Sequence, residues 1–169
     1  MKLFTSILML ALLLQGCAEE AAPSSTHTNK WSKRTVKQLG MDSLVHGSTY
    51  LSIYSEIYSQ TEHRTHDLTA TVSMRNTHRA DTLYIQKAEF FDTKGNLIRT
   101  YFDQPIYIAP LETVEIVIDQ TDQTGGTGAN FLFDWSILPS SNEPLFEGVM
   151  ISTSGQQGIS FTTHGIRIH

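Results

Sequence analysis

From residue 48 onward apolar and polar positions alternate with a period of two, and no segment sustains a helical period. Within 50–58, Leu51, Ile53 and Ile57 point one way while Tyr50, Tyr54 and Tyr58 point the other. Residues 68–74 alternate most cleanly: Leu68, Ala70, Val72 and Met74 face a core and the hydroxyls between them face water. Residues 83–91 and 97–102 predict two strands joined by Asp92-Thr93-Lys94-Gly95-Asn96, where Gly95 is available for a positive φ. Pro105 and Pro110 bracket a short extended piece, 106–108, suited to a sheet edge. Val114, Ile116 and Ile118 mark the next strand, and Phe131, Phe133, Trp135 and Ile137 mark the one with the largest core residues. Residues 146–152 and 159–163 complete the set, with 166–168 as an extension. Seven to nine short strands, each with one apolar face to bury, predict an all-β fold. The expected architecture is a single antiparallel β-sandwich of immunoglobulin-like type, with a barrel as second choice.

The alternation does not reach the N-terminus. Lys2 precedes a short apolar stretch over 3–14, the shape of a secretory signal. It is shorter than the roughly 20 residues that a membrane span needs. Leu14-Gln15-Gly16-Cys17 resembles the bacterial lipobox. The resemblance implies that 1–16 is a cleaved lipoprotein signal peptide and that Cys17 carries a covalent lipid. It also implies envelope localisation: with Ala18 rather than Asp after the cysteine, the outer membrane facing the periplasm if the host is Gram-negative. Residues 17–45 then read as the lipidated cysteine and a flexible tether, and 46–169 as the sandwich domain. Lys30, Lys33, Arg34 and Lys37 surround Trp31, a composition suited to anionic headgroups, although a solvated linker accounts for it more simply.

Residues 71–119 look like immunoglobulin-like bacterial envelope modules, on Val72, Asn76, Phe90-Phe91-Asp92, Gly95 and Leu111-Glu112-Thr113-Val114-Glu115. More specifically, 47–168 resembles a family of small bacterial proteins, often lipoproteins, known only as a domain of unknown function. The run Thr124-Gly125-Gly126-Thr127-Gly128-Ala129-Asn130-Phe131, followed by Asp134-Trp135, carries that resemblance. It implies a fold and an envelope address, and no activity.

Charge and cysteine usage narrow the classes. The 169 residues hold 12 Lys and Arg against 17 Asp and Glu, a formal net charge of −5, which argues against a nucleic-acid partner. The single cysteine permits no intrachain disulfide and no cysteine-based zinc site, so the core must hold the domain.

Candidate chemistry is sparse. Thr124, Gly125, Gly126, Thr127, Gly128 and Asn130 form a candidate binding loop. A phosphate cradle would need a helix to follow, whereas a strand follows here and no Lys-Ser/Thr pair is present. Asp119, Asp122 and Asn130 offer hard oxygens for calcium, but without EF-hand spacing. Tyr50, Tyr54 and Tyr58 form a candidate aromatic face. Of seven histidines, His63 and His66 in an expected loop, with His78 or His164, are candidate copper or zinc ligands; surface histidines are the simpler reading. Ser154, His164 and assorted aspartates make a triad only on paper, and neither Gly-x-Ser-x-Gly nor His-Glu-x-x-His occurs. The expectation is therefore a non-catalytic, lipid-anchored envelope binding or scaffold module. It would meet the membrane through its lipid and an envelope protein through its loops or aromatic face, with no cofactor beyond the lipid. The alternative is a periplasmic copper- or zinc-binding lipoprotein.

Overall fold

The computed structural model describes residues 25–26, 31–36, 43–153 and 158–169. Cys17, the expected signal peptide and Ser154 lie outside the described residues. The strands, in chain order, are β1 (Val45–Ile53), β2 (Glu56–Ser59), β3 (Thr61–Asp67), β4 (Thr69–Arg75), β5 (Leu83–Phe91) and β6 (Leu97–Thr100). They continue with β7 (Ile106–Ile108), β8 (Thr113–Ile118), β9 (Ala129–Ile137), β10 (Leu145–Ser152), β11 (Ile159–His164) and β12 (Ile166–Arg167). All pairings are antiparallel. A six-stranded sheet runs β12-β1-β9-β5-β6, with β7 also on β5; a four-stranded sheet runs β11-β10-β4-β8; β2 and β3 form a separate hairpin. The fold is an all-β sandwich.

The inward rows are those that the alternation marks. Leu51, Ile53, Phe90, Phe131, Phe133 and Trp135 from one sheet meet Ala70, Val72, Met74, Ile116, Phe146 and Met150 from the other, all buried. Aromatic rings run through this interior: Phe90 stacks on Phe131 at 4.9 Å, Phe131 on Phe133 at 5.3 Å, and Phe133 on Phe146 of the opposite sheet at 4.4 Å. Trp135 satisfies its buried indole N–H by donating to Thr49 Oγ1 at 2.9 Å. Gly47 sits against that ring so closely that a Cβ would lie 2.3 Å from it, which explains a glycine inside β1.

Three expectations need correction. The strand expected over 50–58 breaks: β1 stops at Ile53 and β2 starts at Glu56. Ser55 lies between, its N–H donating to Gly126 O at 3.2 Å and its carbonyl accepting from Leu68 N at 2.8 Å. The chain thus leaves the sheet and turns at Gln60, with φ 66°, into a hairpin. Next, His63 and His66 lie on a strand, β3, rather than in a loop. Finally, the tether expected over 17–45 is in part structural. Trp31 is 3% exposed, packs on Phe102 at 5.2 Å and donates its Nε1–H to Ser25 O at 3.0 Å. Ser25 Oγ accepts from Val117 N of β8 at 2.9 Å. Val36 N donates to Pro105 O at 2.8 Å, Tyr107 N of β7 donates to Arg34 O at 3.0 Å, and Thr35 bridges Ile106. Residues 25–26 and 31–36 therefore form a strap over the edges of β8 and β7. Those edges present unpaired backbone groups, and a large indole supplies the apolar area that holds a partner there. Trp31 is consequently not a headgroup anchor, and Arg34 pairs with Glu112 at 2.6 Å.

Candidate functional site

The site is built at the end of the sandwich where β1 and β5 finish and β9 begins. Between β8 and β9 the chain runs as a tight 3₁₀ segment, Gln123–Gly128, kinked at Gly126 with φ 70° and ψ −155°, a conformation essentially restricted to glycine. Asp122 caps it, its Oδ1 accepting from Thr124 N at 3.3 Å and Thr124 Oγ1 at 2.6 Å. Its Oδ2 accepts from Arg99 Nη2 at 3.0 Å, and Arg99 Nη1 donates to the Tyr101 hydroxyl at 3.0 Å. Burial disfavours the charge on Asp122, but hydrogen bonds from Thr124 and Arg99 outweigh it and hold the carboxyl below the usual carboxylate range. Burial likewise pushes the Tyr101 phenol up.

Thr93, from the β5–β6 turn, clamps the loop from the other side. Its N–H and hydroxyl both donate to Gly125 O, at 3.2 and 3.0 Å, and its Oγ1 accepts from Gly128 N at 3.0 Å. A Cβ on Gly125 would come within 2.8 Å of the Ser55, Ala129 and Phe90 side chains. The glycines here serve close packing as well as backbone freedom. Behind them the Ser55 hydroxyl is buried with no hydrogen-bond partner among the described residues.

These loops enclose an open cleft of about 510 Å³. One wall is the hairpin, with Glu56, Tyr58, Glu62, His63 and Thr65; the others are 92–94 of the β5–β6 turn and 123–127. Gln123 Nε2 donates to Asp67 Oδ1 at 2.9 Å, tying the loop to β3. Asp92 is engaged by its own turn, accepting from Lys94 N and Asn96 N at 2.8 Å each. The side chains of Glu56, Tyr58, Thr65, Lys94 and Thr127 make no hydrogen bond to another described residue. Tyr58 is 61% exposed.

The structure divides the residues singled out from sequence. Thr124, Gly125, Gly126 and Thr127 line the cleft, whereas Gly128 lies behind them on Thr93. Asn130 is a β9 residue opposite Ser52 and Phe91 and does not line it. The tyrosines form no single face, because the strand breaks between them. Tyr50 lies on the outer side of the six-stranded sheet between Leu132 and Ile166, Tyr54 packs edge-on to Phe161 at 5.7 Å, and only Tyr58 reaches the cleft. His63 lines the cleft, while His66 does not. His78 follows the far end of β4, roughly 20 Å away along that strand. Its Nδ1 accepts from Asp81 N at 2.9 Å. His164 lies at that far end too, 3.5 Å from Glu147. Among the described residues no group of three or more His, Cys, Asp or Glu is placed to hold a metal. Asp122 is taken up by Arg99 and Thr124.

Residues 46–168 match a family described as protein of unknown function, DUF3124. The chain belongs to the DUF3124 family. No curated protein sequence matches it. The structure is similar to one solved as the crystal structure of Thermotoga maritima 1070, with a TM-score of 0.45 and 8% identity over 71% of this chain and 92% of that one.

In this DUF3124 chain the strap residues 25–26 and 31–36 precede the family match yet are packed against it. Several residues that build the cleft escape sequence reasoning. Thr93 and Lys94 stand in a recognisable turn, but nothing local says that the turn meets a loop 32 residues further on. Glu56, Glu62 and Thr65 sit on a hairpin whose second strand is polar throughout, leaving no apolar alternation to betray it.

Proposed function

We propose that this protein is a lipid-anchored cell-envelope binding module on an immunoglobulin-like sandwich, engaging its ligand through the cleft between the β2–β3 hairpin, the β5–β6 turn and the loop over 123–127. One observation carries the reading. Three segments distant in sequence are fixed together by Thr93, Asp122 and Gln123, yet leave an open cleft in which the side chains of Glu56, Tyr58, Thr65, Lys94 and Thr127 have no hydrogen-bond partner among the described residues. Binding groups on loops held by a rigid scaffold are a common functional arrangement. The lipid anchor is supported by Leu14-Gln15-Gly16-Cys17 after a short apolar stretch. With two or more acyl chains, attachment would be stable. Among the described residues no ligand set favours the copper or zinc alternative.

Two measurements test it. Metabolic labelling with a radiolabelled fatty acid should mark the wild-type chain and not Cys17→Ser; label on both would remove the anchor. A photoreactive benzoylphenylalanine replacing Lys94 should give covalent adducts in intact cells, whereas the same group replacing Ser140, at the opposite end of the sandwich, should not. Equal labelling at both positions, or none at Lys94, would remove the cleft reading.

A further inference from the structure

We infer that the cleft takes a neutral saccharide, stacked on Tyr58; this rests on the cleft being the binding site. Tyr58 is 61% exposed and lines the cleft wall. A tyrosine ring offers an apolar face beside a polar edge, the complement of a pyranose ring with C–H bonds on its faces and hydroxyls around its rim. Hydroxyl partners in both senses line the same cleft. Glu56 presents acceptors, Lys94 presents donors, and Thr65 and Thr127 present both, none of them satisfied by another described side chain.

Gly125 and Gly126 line the cleft, and the space a Cβ would need at each is filled by Ser55, Ala129, Phe90 and Thr93. Charge points away from other small ligands. Among the described lining residues Lys94 is the only Lys or Arg, alongside Glu56, Glu62 and Asp92, so a phosphate or carboxylate finds no cationic cluster there. A cationic amine would find carboxylates, but a single aromatic ring rather than a cage, with Lys94 opposing it. Both signs mixed around one exposed ring suit a polyhydroxylated ligand without net charge. The volume, about 510 Å³, is within the ordinary range of small-molecule sites.

The test uses the mature chain in a zwitterionic detergent that carries no sugar, titrated calorimetrically with chitotetraose and with cellotetraose. At least one should bind saturably. Tyr58→Ala should weaken that binding tenfold or more, and Tyr58→Phe, which keeps the ring and removes the hydroxyl, should stay within threefold. Ile166→Ala, at an exposed apolar residue elsewhere, should change nothing. Failure of both saccharides, or binding indifferent to Tyr58→Ala, overturns the saccharide. Spermidine binding in place of either saccharide overturns it in favour of a cationic ligand. Adducts at Lys94 in cells without saccharide binding leave the cleft standing and remove the saccharide alone; neither adducts nor binding removes both.

Discussion

Truncating Trp31 tests whether the N-terminal strap belongs to the folded unit. Its indole is 3% exposed against Phe102, and the strap around it supplies hydrogen bonds to Val117, Tyr107 and Pro105. Removing a buried aromatic ring of this size costs about 3–5 kcal/mol where the surroundings stay fixed. A strap can instead detach and regain the conformational freedom lost on docking, at about 1–2 kcal/mol per residue for the backbone, which caps the loss. We therefore expect Trp31→Ala to destabilise the chain by about 2–4 kcal/mol, with Trp31→Phe costing less because a ring remains on Phe102. Urea unfolding followed by circular dichroism gives the free energy from the midpoint and slope. Amide exchange locates the change. The Tyr107 and Val117 N–H groups, which donate to Arg34 O and Ser25 Oγ, should lose protection in Trp31→Ala, whereas that of Phe133 in central β9 should fall only with global stability. The same midpoint in wild type and Trp31→Ala, with unchanged exchange at Tyr107 and Val117, would refute the docking argument.

Other consequences follow from the loop. Gly126→Ala should cost about 1–3 kcal/mol, because it forces a side chain into φ 70° and sets a Cβ 2.9 Å from Thr93 Oγ1. Gly125→Ala should cost a similar amount by overpacking Phe90 and Ser55, while Gly128→Ala, whose nearest contact is 3.4 Å, should be tolerated; thermal unfolding of the three variants distinguishes them. The Asp122 carboxyl is held below its ordinary value, so its contribution is complete above the usual carboxylate pKa and lost as pH falls through the depressed one. Protection of the Thr124 amide should thus be flat from neutral pH down to about 4 and drop below it, and Asp122→Asn should remove that acid limb. Ser55→Ala should be neutral or stabilising by up to about 1 kcal/mol in urea unfolding, since it deletes a buried hydroxyl without a partner among the described residues.

What the sequence by itself determined is the part of the fold that strand periodicity encodes. Leu68, Ala70, Val72 and Met74 alternate because one side of β4 faces a core, and Phe131, Phe133 and Trp135 do so in β9; all are buried. Such a pattern reports local exposure, and a sandwich of two apolar-faced sheets follows from it. The glycine-rich run was legible too, because few residues tolerate its geometry. Tertiary structure alone decided the rest. Tyr50, Tyr54 and Tyr58 share a parity in sequence, but Ser55 is pinned to Gly126 and Leu68, so the strand ends and the stripe is dispersed. His63 and His66 share a polar strand that carries no apolar signal, and only His63 meets the cleft. Trp31 stands in a polar, basic stretch that composition reads as tether; its burial depends on Phe102 and on open strand edges far along the chain. The cleft exists because Thr93 reaches Gly125 and Arg99 reaches Asp122, contacts 32 and 23 residues apart. Periodicity carries no information about which loops a folded chain brings together, because that is set by the order and pairing of its strands.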